Sequence, residues 1–469
     1  MESGERIFML TQKHFINVIT LGAPLLAGMV SEFFMYIADS AMVGRLGTEQ
    51  LAAIAIATLF AEIMWVIVWP FAPGTQSLAA RRYGQQEAAV SADGSNYQAL
   101  RQKTGEILDN SMVVSFSIGI VAMFIAAFAE EILKLLLDDS ELIRLAVSYI
   151  GIIKWAMPLA GIFYSMYGFL AAVNLTRVIM VATVGLNVLN IFFNYALIFG
   201  KFGLPAMGIE GAAIGTVLAQ VLGASYLAAF IFLSRKTEVY RCCRFQSLRW
   251  NSIKDIFLAS WPMIVQLGLV LSIFLLYESI IAGIGTVYLA VTHIIFTMFT
   301  LSRTLVGGFA EGGSILIGNT LGRNQQKEAI RYAYATEYIA IFFGVALIIL
   351  IWMFPEAIVK VFNQEPETVT LGAEGLKFFI VFFFLNIIGF PFEIIFTHNG
   401  WGKYPLVTEL ISIVTFALGL TLLLTRYFEM GIYAAWFSFG LYLVCYSVLL
   451  AGGFISKRWL NVKIESNAF

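Results

Sequence analysis

The sequence predicts an all-α integral membrane protein: twelve transmembrane helices in two six-helix lobes, related by a pseudo-two-fold axis along the membrane normal. Three observations carry this. The 469-residue chain is 59% hydrophobic and only 13% charged, whereas a soluble domain carries about 25% charged residues. Its apolar residues fall into twelve blocks, each of a length that suits a spanning helix, which needs about 20 residues. The second six blocks repeat landmarks of the first six in order. The same composition excludes a soluble globular domain, a disordered chain and a coiled coil. A net charge of −1 offers nothing to a polyanion, so no nucleic-acid partner is expected.

The spans fall near 15–43, 49–80, 107–129, 142–171, 177–200 and 208–234. The second set falls near 254–284, 287–321, 330–354, 368–397, 404–425 and 430–456. Leu, Ile, Val, Phe and Ala dominate them, with Gly interspersed as in packed membrane helices. Prolines 24, 70, 73, 158, 262 and 391 interrupt spans, and each removes a backbone hydrogen bond and permits a kink. The stretch 81–106 reads as the longest polar loop. The polar stretch 235–253 divides the chain into an N-lobe (1–234), a cytoplasmic linker (235–253) and a C-lobe (254–469). The N-terminus, MESGERIFMLTQKHF, lacks a small-residue cleavage site, so no signal peptide is expected. Cys242, Cys243 and Cys445 are too few for a disulfide framework and read as free thiols; the neighbouring pair also suits palmitoylation in a eukaryotic cell.

Lys and Arg set the orientation. The N-terminus, the even-to-odd loops and the C-terminal tail hold twenty of them, and the opposite loops about seven. Both termini are therefore expected in the cytoplasm. A shift of 238 residues carries Pro24 onto Pro262, Leu46-Gly47-Thr48 onto Ile284-Gly285-Thr286, Leu51-Ala52 onto Leu289-Ala290 and Gly84 onto Gly322. Beyond Gly84 the register slips, and GIEGAA at 208 resembles GIYAAW at 431. Six spans per half keep the halves in one orientation, which makes them parallel repeats about a central cleft.

Five motifs in order on this repeat resemble the multidrug and toxic compound extrusion (MATE) family of cation-coupled efflux transporters. They are Pro24 with ADSAMVGRLGTEQLAA (38–53), GTQSLAARRYGQQ (74–86), GLNVLNIFFNYALIFG (185–200), MGIEGAAIGT (207–216) and GGSILIGNTLGRNQ (312–325). The resemblance covers nearly the whole chain. It implies a coupling role for Asp39 and, in the family's sodium-coupled picture, a cation held by Asp39, Asn190, Asn194 and Thr216. Asn194 stands where one branch of the family carries an Asp, which turns the expectation toward proton coupling at Asp39.

The residues themselves carry a parallel reading. Ionisable side chains within spans cost about 2.5–3.5 kcal/mol each and face a bundle interior or wet cavity. Asp39, partly shielded, is suited to exchanging a proton; the plain alternative is a carboxylate reaching the interface. Asn187, Asn190 and Asn194 share one helix face, as cation ligands or as an Asn ladder between helices. Glu32, seven residues before Asp39, extends a proton path or attracts cationic substrates. Glu278, Arg303 and Glu311 are read as a charge cluster lining the second lobe, with a closed structural ion pair as the alternative. Glu278 lies two turns beyond the family's span-seven carboxylate position, which reads Val270 here. Glu393, just after Pro391, is expected to line the second lobe as well. Asp39 and Glu278 are expected to face the cleft from opposite lobes. Pro24 is the expected hinge, and the aromatic runs 341–343 and 378–384 read as lipid-facing or core packing.

No catalytic motif is present, so no enzyme activity is expected. The expected function is a secondary antiporter that exports organic, cationic or amphipathic drug-like compounds in exchange for H⁺ or Na⁺. The expected setting is a monomer in the lipid bilayer of a bacterial inner membrane, without cofactor or metal. The alternative is a lipid-linked saccharide flippase of the same superfamily. Its cationic cavity would suit pyrophosphate, whereas the charge buried here is mostly acidic.

Overall fold

The computed structural model describes residues 10–92, 97–245 and 248–462. Residues 1–9, on which the signal-peptide expectation rests, lie outside them. No strand is present among the described residues. Eleven helices are long and apolar enough to cross a membrane, and a bent pair makes a twelfth span.

In the first half the helices are α1 (Gln12–Val43), α2 (Thr48–Val68), α3 (Phe71–Ala92), α4 (Tyr97–Ala127), α5 (Ala129–Leu136), α6 (Ser140–Ile153), α7 (Ala156–Ala172), α8 (Thr176–Phe199) and α9 (Gly208–Leu233). In the second half they are α10 (Trp250–Ala282), α11 (Thr286–Gly322), α12 (Gln326–Met353), α13 (Pro355–Phe362), α14 (Pro366–Thr397), α15 (Lys403–Ser412) and α16 (Ile432–Ile455). Beyond α15 the eleventh span continues as π-helix through Ile413–Leu420 and Leu423–Tyr427.

Proline explains the breaks. Pro70 falls between α2 and α3. Pro73 cannot donate to the carbonyl of Trp69, and Ala72 N–H takes that acceptor at 3.0 Å. The fourth span bends by 46° between α6 and α7. There Pro158 cannot donate to Lys154, whose carbonyl accepts from Met157 N–H at 3.2 Å instead. Pro24, Pro262 and Pro391 lie inside continuous helices.

The stretch 81–106 departs from its expectation as a loop. Both flanks are helical, with α3 running to Ala92 and α4 starting at Tyr97. Its Arg, Gln, Glu and Ala residues favour helix whether or not they are apolar.

The chain packs as two compact units. One contains the described residues up to Leu26, Val265–Ile317 and the chain from Gln325 onward; the other contains Ala27–Ile264 and Gly318–Asn324. We call these the C-terminal and N-terminal units. The covalent halves thus exchange the first parts of α1 and α10. Both exchange points, after Leu26 and after Ile264, follow a repeat-related proline by two residues.

Small residues permit each crossing. In the C-terminal unit a Cβ on Gly22 would lie 2.8 Å from Phe309 Cα, and one on Gly312 would lie 2.5 Å from Gly22 N. In the N-terminal unit a Cβ on Gly74 would collide with Ser260, the image of Gly22 under the 238-residue shift. There too Gly84 of α3 meets Asn319 and Gly322 of α11.

The linker is docked on the N-terminal unit. Positive φ at Arg241, Cys243 and Phe245 turns backbone N–H groups inward as an anion nest. Asp109 of α4 fills it, accepting from Cys243, Arg244 and Phe245 N–H at 2.5, 3.1 and 2.9 Å. Asn110 accepts from Arg249 N–H at 2.9 Å. The three cysteines are free, as expected. Burial, followed by the Asp109 carboxylate, pushes the Cys243 thiol up to about 11.

Phe379 and Phe383 of the aromatic run at 378–384 are buried, whereas Val381 and Phe384 are exposed. The run serves both core and outer surface.

Candidate functional site

In the N-terminal unit, α1, α8 and α9 bring four of the expected residues together. The Asn187, Asn190 and Asn194 face of α8 is buried, as their spacing predicts. Asn194 donates from Nδ2 to Asp39 Oδ1 at 2.8 Å and to Asn190 Oδ1 at 2.9 Å. Asn190 donates from Nδ2 to Thr216 Oγ1 at 3.0 Å, and Thr216 donates to the carbonyl of Ala212 at 3.0 Å.

The glycines of α9 make the cluster possible. A Cβ on Gly211 would lie 2.7 Å from the carbonyl of Leu197, and one on Gly215 would occupy the place of Asn194 Oδ1. That Oδ1 is buried without a hydrogen-bond partner. The cluster therefore presents one carboxylate, itself only half-buried, beside an unused amide oxygen. Asn187 lies apart from it, donating to Ser31 Oγ at 2.7 Å.

Glu32 is exposed on the same helix as Asp39 and stands in the field of Glu62 of α2. Tyr36 hydrogen-bonds to Glu62. Glu62 and Tyr36 thus join Glu32, a grouping the sequence reading missed. Three helical residues seven or four apart could have suggested Glu32 with Tyr36 or Asp39, but nothing pointed to α2.

In the C-terminal unit, Arg303 of α11 forms a 3.0 Å ion pair with Glu393 of α14. Its guanidinium also lies 3.9 Å from the ring centre of Phe390, a cation–π geometry. Gln266 of α10 donates to Glu393 at 3.0 Å, to Tyr446 Oη at 3.3 Å and to Glu409 of α15. Tyr442 of α16 donates to Glu409 at 2.8 Å. Two carboxylates thus face one guanidinium.

This corrects the expected Glu278–Arg303–Glu311 cluster. The carboxylates whose fields act on Arg303 are Glu393 and Glu409. Arg303 and Glu311 lie eight residues apart on one helix, a rise of about 12 Å. Packing of α14 brings Glu393 closer. Glu311 is buried elsewhere on α11, and Glu278 is half-buried on α10. Glu393, expected to line the second lobe, is instead found paired with Arg303. Gln266, Tyr442 and Tyr446 had no sequence signal, while Glu409 was visible only as an acid within a span. Glu337 of α12, also an acid within a span, escaped the sequence reading. It is buried and neither carboxylate oxygen has a hydrogen-bond partner.

Among the described residues, no group of three His, Cys, Asp or Glu side chains is placed to hold a metal ion.

Comparison with known proteins bears on the whole chain. A relative from Agrobacterium fabrum, named as a probable multidrug resistance protein NorM, is 26% identical over 450 residues, covering 94% of each chain. One of the same name from Thermotoga maritima is 23% identical, covering 94% of this chain and 92% of its own. A solved structure described as the outward-facing conformation of a multidrug resistance MATE family transporter superposes with a TM-score of 0.86 at 18% identity. It covers 96% of this chain and 97% of its own. The MatE family model matches residues 24–196 and 262–422, one block in each half. With twelve spans, two repeats and a match that takes in most of both, the chain belongs to the MatE family of transport proteins.

Proposed function

We propose that the protein is a secondary active multidrug efflux antiporter, exporting cationic or amphipathic organic compounds in exchange for protons by alternating access. The observation that carries this reading is the Asp39–Asn194–Asn190–Thr216 chain. Asp39 is its only titratable member, since amides and a threonine hydroxyl do not ionise at physiological pH. When Asp39 takes a proton it becomes a donor, and the buried Asn194 Oδ1 is an unused acceptor in the same cluster. Protonation therefore changes the hydrogen bonding between α1 and α8. Pro24, which leaves the carbonyl of Thr20 without its helical donor, gives α1 a point at which to bend in response.

Excess acid favours cationic cargo. Glu32, Glu62 and Asp39 lie in the N-terminal unit with Glu393 and Glu409 against Arg303 in the C-terminal unit. That balance also disfavours a pyrophosphate-binding flippase. Sodium coupling is the second reading, favoured by the same unpaired Asn194 oxygen, because hard cations take carboxylate and amide oxygens. In this proposal the protein needs no cofactor beyond the transported ion. It acts as a monomer in a bacterial inner membrane.

The test is efflux from proteoliposomes under an imposed ΔpH and, separately, an imposed Na⁺ gradient. Proton coupling requires ΔpH alone to drive export, and Asp39→Asn to abolish driven export while drug binding survives, since binding and coupling are separate free energies. Wild-type export by Asp39→Asn under ΔpH removes Asp39 from the coupling step. Export driven only by Na⁺ replaces the proton reading with the sodium one.

A further inference from the structure

We propose that Glu337 of α12 is a proton-binding site of the C-terminal unit, separate from the three polar clusters described above. Its side chain is 7% exposed, and neither Oε1 nor Oε2 has a hydrogen-bond partner. Its neighbours along α12 pack against two other helices. Thr336, the preceding residue, presses on Gly313 of α11. Ala340, one turn later, packs with Val306 of α11 and Ile387 of α14, against Ile348 and Phe390.

No charged side chain of these helices acts on it. Arg303 and Glu393 bind each other. Glu328, on the same helix, is held by His14 of α1 at 2.9 Å and by Arg331. Glu374 of α14 accepts from Tyr433, and Glu311 lies on α11 two residues before Gly313. An ionised carboxylate without a partner is not tolerated in such surroundings. A metal cation would require several further ligands, and among the described residues no group of three His, Cys, Asp or Glu side chains is placed to hold one. The ion that fits a single carboxyl is a proton.

A neutral acid with no partner adds nothing to packing that a leucine would not add. Its distinguishing property is that it can ionise when water reaches it. In the exchange, the Glu337 O–H gives its proton to a water molecule when the helices part. The resulting carboxylate takes a proton from water before they close again. The inference rests on the transport function proposed above, but not on Asp39.

Infrared difference spectroscopy of the full-length protein between acid and alkaline pH tests it. A carboxylic-acid carbonyl band is expected that titrates, disappears in Glu337→Gln, shifts in Glu337→Asp and persists in Asp39→Asn. With a pH indicator and ethidium as the cationic probe, Glu337→Gln is expected to release one proton fewer per bound ethidium than wild type. Absence of a band belonging to Glu337 overturns the proposal, as does a band that never titrates. An unchanged proton count in Glu337→Gln overturns it as well. If Glu337→Gln does not fold, the band shift in Glu337→Asp decides. Failure of the transport reading leaves the infrared result standing, so the two failures are distinguishable.

Discussion

Arg303 faces Glu393 and Glu409, so the charges in this buried cluster do not cancel when all three ionise. Removing the cation strands two acids, and breaking a buried pair in this way costs about 3–5 kcal/mol. Arg303→Met should lower the thermal midpoint sharply. Glu409→Gln keeps the Arg303–Glu393 pair and an acceptor for Tyr442, so its midpoint should stay close to wild type. Equal losses in the two variants would show that the cluster is not organised around the guanidinium. At Cys243 the folded state holds a neutral thiol. Its contribution to stability is fully present below the ordinary thiol value of about 9 and is lost as pH rises through about 11. Alkylation at pH 7 should therefore be slow, and Asp109→Asn, which removes the charge and puts an NH2 donor in place of one of the two oxygens that fill the nest, should speed it. An unchanged alkylation rate would count against the docked linker. The Asp39 site was legible because its residues lie in three of the motifs that carry the family resemblance, with Asn190 and Asn194 at helical spacing. The Arg303 site was not, because its partners come from α10, α14, α15 and α16, and one sequence contains no signal for which faces of those helices meet.

The helices themselves were largely legible, since twenty-residue apolar blocks have no other stable form in a bilayer. Their interruptions were legible only in part. The prolines marked the break before α3 and the bend at Lys154–Trp155, but the π-helix of the eleventh span carries no proline or other composition cue. A second repeat also went unseen. Ala-Glu-Glu-Ile-Leu-Lys of α5 and Pro-Glu-Ala-Ile-Val-Lys of α13 align at a shift of 226, each with a Glu–Lys pair one turn apart, Glu130–Lys134 and Glu356–Lys360. Two short amphipathic helices do not register in a search for spans. At the element scale the α3–α11 crossing is sensitive to side-chain volume, with a glycine from each helix against the other's backbone. Gly84→Val and Gly322→Val place a side chain against backbone of the opposite helix and should each cost about 1–3 kcal/mol as overpacking. Gly44→Val, which meets nothing within 4 Å, is the control. A thermal midpoint for either crossing variant equal to that of Gly44→Val would mean the helices separate there at no cost.

For the molecule as a whole, span parity and Lys/Arg distribution make a joint prediction about sidedness. α5 follows the third span and α13 the ninth, so six spans separate them and parallel repeats place both on one face of the membrane. Leu135 of α5 and Val361 of α13 are 85% and 80% exposed. Leu248, in the linker after the sixth span, is 47% exposed and belongs to the opposite face. Twenty Lys and Arg on the linker's side against about seven on the other predict that the linker's side, with both termini, is cytoplasmic. In a background where Cys242, Cys243 and Cys445 are replaced by Ser, single cysteines at 135, 361 and 248 can be probed in intact cells with a membrane-impermeant thiol reagent. Leu135→Cys and Val361→Cys should label, and Leu248→Cys should label only after the membrane is opened. The inverse pattern would keep the parallel repeat and reverse the orientation. Labelling of only one of the two amphipathic helices would defeat the repeat itself, because an odd number of spans would then separate α5 from α13.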